Sequence, residues 1–328
     1  MKNPGTTKLL LLAAAVILFV MLFDTIMTIF FVTILASLIA IFFVGTAAYI
    51  DKHLPGSNKL WISVLILLIL SALALTAWIS IDPITAQVQE LGPNISPAIM
   101  EVNSWLGQFG LRQDIVDATG RLDVSDFLPA LDDAVPVVLE SIILFFVVLV
   151  AGLFLTYEPS VYRKGLLFFA KNKQRTSKVI DTLQDRLYRW TIGRLASMAV
   201  IFLLTWAGLA LLGAPLAFLL ALIAGLLSFI PNFGPIFSAL LAAAVGLSVS
   251  PTLALWILLV FIAVQLLESN LINPLIERKA VYLPPGLLLI TEVFMGLAFG
   301  ILGLIVATPI LVGVTTILNE YQTHKQVD

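Results

Sequence analysis

The chain of 328 residues is 60% hydrophobic and only 12% charged, and its mean hydropathy is +1.06. These values lie far outside those of soluble domains and indicate a polytopic α-helical membrane protein. Because the sequence contains no cysteine, disulfides, thiolate metal sites and a thiol nucleophile are excluded.

The first part of the chain, 1–81, is predicted to form N-terminal transmembrane spans. Two apolar runs, about 9–24 and 26–50, predict a pair of spans that turn tightly at Asp24. A polar loop follows, and a third span of about twenty residues begins at Leu60 and ends at Ile81. Since apolar sequence resumes at once after Asp24, a cleaved signal peptide is not expected.

Residues 82–135 form the one long polar region. Ser96 and Pro97 make a favourable helix start. Apolar residues then follow at three- and four-residue spacing, which predicts an amphipathic helix: Ile99, Val102, Leu106 and Phe109. The region is too small for a core of its own, so we expect a small external amphipathic insert that caps the membrane part.

The third part, 136–213, contains a fourth span, a basic helix and a fifth span. The fourth span begins at Pro136 and ends near Tyr157-Glu158-Pro159. Basic residues then run from Arg163 to Arg194, and apolar residues among them share one helical face: Val179, Leu183, Leu187 and Trp190. A basic amphipathic helix between two spans is typical of a membrane-surface or packing helix. The fifth span is predicted at about 191–212.

The last part, 214–328, is interpreted as the transport region because its apolar sequence is broken twice. The first break contains Pro231, Asn232, Gly234 and Pro235, and proline cannot continue a helix. At membrane depth, freed backbone groups need protein or a water-filled cavity, so we predict a re-entrant hairpin over about 214–249. An ordinary loop between two spans is the alternative. Gly234 is expected to supply a close backbone approach or a positive φ at the tip.

A further span, Thr252 to Leu267, ends in a polar cluster, and a second broken hairpin is predicted at about 285–318. We expect a solute pathway lined by the tip of the first hairpin, that is, Pro231, Asn232, Gly234 and Pro235, and by residues at the end of this span. The latter are Gln265, Glu268, Asn270, Asn273 and Pro274. Glu268 and Glu292 are also candidate proton or cation sites, since a carboxylate at membrane depth usually faces a cavity or a partner. The alternatives are neutralisation of Glu268 by Arg278 or Lys279, and a place for Glu292 in an extracellular or oligomer interface.

The positive-inside rule predicts the orientation. Of the 18 lysines and arginines, only Arg112 and Arg121 fall within 82–135. We therefore expect a multi-pass protein of the inner (cytoplasmic) membrane, with the acidic insert outside and both termini in the cytoplasm.

Enzyme motifs are absent, and the only histidines are His53 and His324, in predicted loops or tails. The sequence therefore predicts no enzyme, no cofactor, no metal site and no nucleic-acid partner. Without a nucleotide-binding motif, the chain is expected to use a gradient or passive conduction.

Three runs of sequence resemble the autoinducer-2 exporter family. They are Phe229 to Ile236, Gln265 to Pro274, and Phe299 to Pro309 with its Gly-Ile-Leu-Gly and Ala-Thr-Pro elements. The resemblance implies export of a small polar signalling solute, or sodium (or lithium)/proton antiport, by a homo-oligomer, plausibly a pentamer, in the lipid bilayer. Glu292 departs from the family, where an apolar residue is common. A membrane scaffold without transport is the remaining alternative.

Overall fold

The computed structural model describes residues 4–72, 74–75, 78, 143–272 and 283–325. Over these residues the chain is helical and contains no strand, which confirms the predicted all-α fold. The predicted external insert, 82–135, and the start of the predicted fourth span lie outside them. The helices are α1 (Pro4–Asp51), α2 (Asn58–Ala72), α3 (Ile143–Tyr157), α4 (Pro159–Phe168), α5 (Lys173–Leu211), α6 (Ala217–Leu227), α7 (Phe233–Leu247), α8 (Pro251–Leu267) and α9 (Pro285–Lys325).

The N-terminal hairpin predicted to turn at Asp24 is wrong. α1 is one helix of 48 residues that passes through this position. Neither Asp24 nor Thr25 removes a backbone donor or needs a positive φ, so nothing there ends a helix. By length and composition, Thr25–Asp51 alone could cross a membrane. Two polar residues alone do not end a helix, whereas glycine or proline can.

The basic helix and the fifth span are also a single element. α5 runs for 39 residues from Lys173, with Asn172 as its cap: the Asn172 side chain accepts a hydrogen bond from the Arg175 amide. Before it, α3 ends at Tyr157 and the chain bends by 85° into α4. This confirms the predicted end of the fourth span at Tyr157-Glu158-Pro159, because Pro159 cannot continue the helix.

α6 and α7 form the first hairpin, as predicted. They hold 11 and 15 residues, or about 16 and 22 Å of helix, whereas a hydrocarbon core is about 30 Å thick. Neither arm is therefore long enough for a span, which removes the alternative of a loop between two spans. At the tip, the amide of Ile230 donates to the Leu227 carbonyl at 2.9 Å, and the amide of Gly234 donates to the Ile230 carbonyl at 3.0 Å.

The second predicted hairpin is α9, which reverses at Gly300 (φ 63°, ψ −147°). A Cβ built on Gly303 would overlap the carbonyl oxygen of Met295, and one on Gly296 would lie 2.9 Å from the Leu304 side chain. Eight residues of straight helix span about 12 Å, so these contacts require the chain to fold back. The arms are 285–299 and 301–325.

α5 lies at the centre of the packing. One apolar cluster joins its C-terminal end to the first hairpin and α8, through Leu209, Leu220, Ala242 and Ile257. A second cluster joins Trp190 of α5 to α1 and α9. Four of the described helices could cross a membrane by length and composition, or five if the bent α3–α4 pair counts as one span. The chain is therefore a multi-pass membrane protein whose two hairpins pack on one long helix.

Candidate functional site

Charged and polar side chains meet where the two hairpins, α5 and the end of α8 come together. Arg194 of α5 is 8% exposed, Glu268 after α8 is 3% exposed, and Glu292 of α9 is fully buried. Asn232 at the tip of the first hairpin completes the group. Buried charges in an apolar protein need partners, and the structure supplies them within this group.

Arg194 connects three elements. Its Nη1 atom lies 3.4 Å from Oε1 of Glu268, and its Nε atom donates to the carbonyl oxygen of Phe229 at 3.3 Å. Carbonyls at a helix C-terminus lack partners within the helix, and an arginine can supply the missing donor. Arg194 thus holds the tip of the first hairpin and the end of α8 against α5.

The second contact joins the two hairpins directly. Nδ2 of Asn232 donates to Oε2 of Glu292 at 2.9 Å. The other carboxylate oxygen, Oε1, is buried and has no hydrogen-bond partner among the described residues. An unpartnered acceptor in such a setting is costly and calls for a donor or a cation.

Asn232 is held in an unusual backbone conformation, with φ 61° and ψ −54°. The Phe233 amide donates to the Pro231 carbonyl at 2.6 Å, so Asn232 is the centre of a γ-turn of the rare, strained type. The prediction for Gly234 is corrected in part. Gly234 is helical, and the positive φ belongs to Asn232, because the helix resumes directly after the γ-turn.

The close approach predicted for Gly234 is confirmed. A Cβ on Gly234 would overlap the carbonyl oxygen of Leu227 and come within 3.0 Å of the Ser228 amide nitrogen. Gly303 repeats this arrangement in the second hairpin, against Met295. Each hairpin therefore turns with a glycine of its second arm against a carbonyl of its first arm.

Gln265 and Glu268 line a small cavity beside Arg194. Pro235 and Ser238 of the first hairpin border it, as does Thr205 of α5. The hydroxyl of Thr205 is fully buried and has no hydrogen-bond partner in the described part of the chain. The cavity thus offers several oxygen atoms in a mostly apolar lining.

Not every predicted site residue joins the group. Asn270 lies in the π-helical turn Glu268–Ile272 that follows α8. It is exposed, and its side-chain amide donates to the Leu266 carbonyl at the end of α8 at 2.8 Å, so it faces away from Glu268. Asn273 and Pro274 lie outside the described residues, as do Arg278 and Lys279. Among the described residues, the charged partner of Glu268 is Arg194. Glu292 is buried against the first hairpin rather than in an outer interface.

Sequence reasoning missed Arg194 by placing it in a surface helix. The buried stripe of α5 contains Trp190, Arg194, Ile201, Thr205 and Leu209. Arg194 follows Trp190 by four positions, so both lie on one helical face. The sequence did contain a signal for Arg194: an arginine lies in line with apolar residues that continue into a predicted span, which indicates a buried functional charge.

Short helical hairpins that turn inside an apolar bundle, with buried charges where they meet, are found in multi-pass membrane transporters. The family model described as AI-2E family transporter matches residues 9–323, and the chain belongs to this family. It is similar to a Bacillus subtilis (strain 168) protein named "Putative transport protein YueF", with 28% identity over 133 residues. That match covers 40% of this chain and 36% of the relative, so it spans about a third of the relative's length.

Proposed function

We propose that this chain is a secondary transporter that exports a small polar solute from the cytoplasm, as autoinducer-2 exporters do. The observation that carries the proposal is the hydrogen bond from Asn232 to Glu292 at 2.9 Å, which joins the two hairpins. In transporters of this general design, the solute meets broken helices near the middle of the membrane. A solute hydroxyl could donate to the free oxygen of Glu292.

The strained turn gives the contact a mechanical role. A backbone conformation such as that of Asn232 costs on the order of 1–3 kcal/mol and persists only where its surroundings hold it. The side-chain bond to Glu292 is one such restraint. When a solute takes the place of Asn232 on the carboxylate, the turn can relax and the hairpins can separate. The pathway would then open between Asn232 and Glu292, with Arg194 and Glu268 behind it.

A solute screen in proteoliposomes tests the proposal. Asn232→Ala removes the contact between the hairpins and is expected to reduce transport at least tenfold. Asn270→Ala is the matched control, because it removes an exposed side chain whose hydrogen bond goes to the adjacent turn of α8, and it should transport like the wild type. Equal transport by both variants would contradict the pathway. A protein that moves no solute under any imposed gradient would favour the scaffold.

Cation/proton exchange is a second candidate function, and charge balance favours it. Among the described residues of the buried group, Arg194 carries one positive charge, whereas Glu268 and Glu292 can carry two negative charges. An excess charge inside a protein of low dielectric is strongly unfavourable. One proton or one monovalent cation would restore neutrality, and alternation between the two would couple their movements.

Glu292→Gln tests this coupling. Glutamine keeps an acceptor for Asn232 but cannot titrate, so the fold should persist. If Glu292 carries the proton, the variant binds solute or cation but its transport no longer responds to a pH gradient. If Glu292 is structural, the variant keeps the pH response and loses stability. An unchanged pH response in a stable variant rules out Glu292 as the proton carrier.

A further inference from the structure

The helix α4 lies across the direction of the preceding span. The chain bends by 85° between α3 and α4, so with α3 running through the membrane, α4 lies close to the membrane plane. It has ten residues, and none of them is buried. A helix without buried residues gains little from packing on its own protein, so another surface must stabilise it.

α4 contacts the rest of the protein with its polar side. Arg163 binds Asp181 of α5 through both guanidinium nitrogens, at 2.7 and 2.9 Å, and donates to the Ser177 hydroxyl at 2.8 Å. This is the reverse of a soluble amphipathic helix, in which the apolar stripe faces the core.

The apolar side of α4 faces away from the protein. Phe168 is 78% exposed and Phe169 is 86% exposed. At 100° per residue the exposed apolar residues fall on one arc of the helix. They are Val161, Tyr162, Leu166 and Phe168, and Phe169, which caps the C-terminus of the helix, continues the arc. Exposure of these five apolar side chains to water would be unfavourable.

We propose that α4 lies in the membrane interface and binds anionic phospholipids. Its aromatic arc enters the boundary between headgroups and acyl chains, as in interfacial helices. Lys164, Lys171 and Lys173 are exposed beside it and outnumber Glu158 at the bend. Since Asp181 already neutralises Arg163, these lysines are the charges that face lipid headgroups. A second copy of this surface would bring the same positive charges together, which favours lipid as the occupant.

The absence of cysteine allows a clean test of depth. Phe168→Cys and Ser160→Cys, each labelled with an environment-sensitive fluorophore, are placed in nanodiscs as the full chain. Both native residues are exposed, but only Phe168 lies on the apolar arc. Lipids brominated near the headgroup should quench the label at 168 at least threefold more than the label at 160. Equal quenching, or disulfide cross-linking of Phe168→Cys between copies, would overturn the proposal.

The lipid charge is tested with the same label at 168. Brominated phosphatidylglycerol, present at a low fraction in phosphatidylcholine, should quench more strongly than brominated phosphatidylcholine at the same fraction. Lys164→Gln with Lys171→Gln should remove this preference, whereas Lys164→Arg with Lys171→Arg should retain it. Equal quenching by the two lipids in the wild-type background would overturn the assignment to anionic lipid.

Discussion

Gly234→Ala is the smallest change that tests how the first hairpin turns. The added Cβ would overlap the carbonyl oxygen of Leu227 and approach the Ser228 nitrogen to 3.0 Å. Both are backbone atoms that no rotamer change can move. Since non-bonded atoms pack best at about 3.5–4.0 Å, the two arms must part by on the order of 1 Å.

The energetic cost has two parts. Overpacking in a tight site costs about 1–3 kcal/mol. Displacement of the tip would also stretch the 2.9 Å bond from Asn232 to Glu292 beyond hydrogen-bond range. Loss of a bond to a buried charged group costs about 1.5–3 kcal/mol. The two parts together should weaken the folded state by about 2.5–6 kcal/mol, and we expect transport to be lost with it.

Two quantities are measured for each variant. The melting temperature in detergent is determined by size-exclusion chromatography of heated samples, and the transport rate is determined in proteoliposomes. Gly303→Ala should behave like Gly234→Ala, because its Cβ would overlap the Met295 carbonyl. Gly286→Ala is the control, since a Cβ there meets nothing within 4 Å. Wild-type melting and transport for Gly234→Ala would show that the tip is only a connector, and the argument from close approach would fail.

Two further predictions concern charge. Arg194→Ala should destabilise the fold by about 3–5 kcal/mol, because it leaves Glu268 buried without its partner; the double variant with Glu268→Ala should recover part of this loss. Arg189→Ala removes an exposed ion pair on the same helix and should change unfolding by no more than about 0.5 kcal/mol. Cysteines introduced in place of Lys173 and Asp123 should react with an impermeant reagent from opposite sides of the membrane: the cysteine at 123 in intact cells, and the cysteine at 173 only when the cytoplasmic side is exposed. Reaction of both from outside would contradict the orientation.

Sequence reasoning succeeded where local chemistry decides the structure. Proline cannot continue a helix, and glycine permits the positive φ of Gly300 and the close backbone approach of Gly234, so both hairpins were predictable. It failed at Asp24, where a polar residue in an apolar run was read as a turn although nothing in its backbone ends a helix. A single helix is the default outcome unless a residue actively interrupts it.

The sequence predicted three members of the candidate site but none of the contacts between them. Asn232, Glu268 and Glu292 were identified because polar residues are conspicuous in apolar sequence. Their partners were not identified, because Arg194 and Glu268 are 74 positions apart in the sequence and Asn232 and Glu292 are 60 positions apart. Such distant residues come together only through tertiary packing. Asn270 illustrates the limit. It stands two residues after Glu268, yet the helix turn directs it outward.

The contacts of the two hairpins indicate where movement can occur. The second arm of α9 is tied to α5 by a hydrogen bond from Arg186 to Thr316 at 3.4 Å and by the pair of Lys178 with Glu320 at 3.6 Å. On the other side, Arg194 holds the first hairpin to α5. Both hairpins are therefore fixed to the same helix. Among the described residues, the Asn232–Glu292 hydrogen bond is the only one that joins the two hairpins directly. Because this bond also restrains a strained turn, its rupture offers the smallest structural change that could open a path between the hairpins.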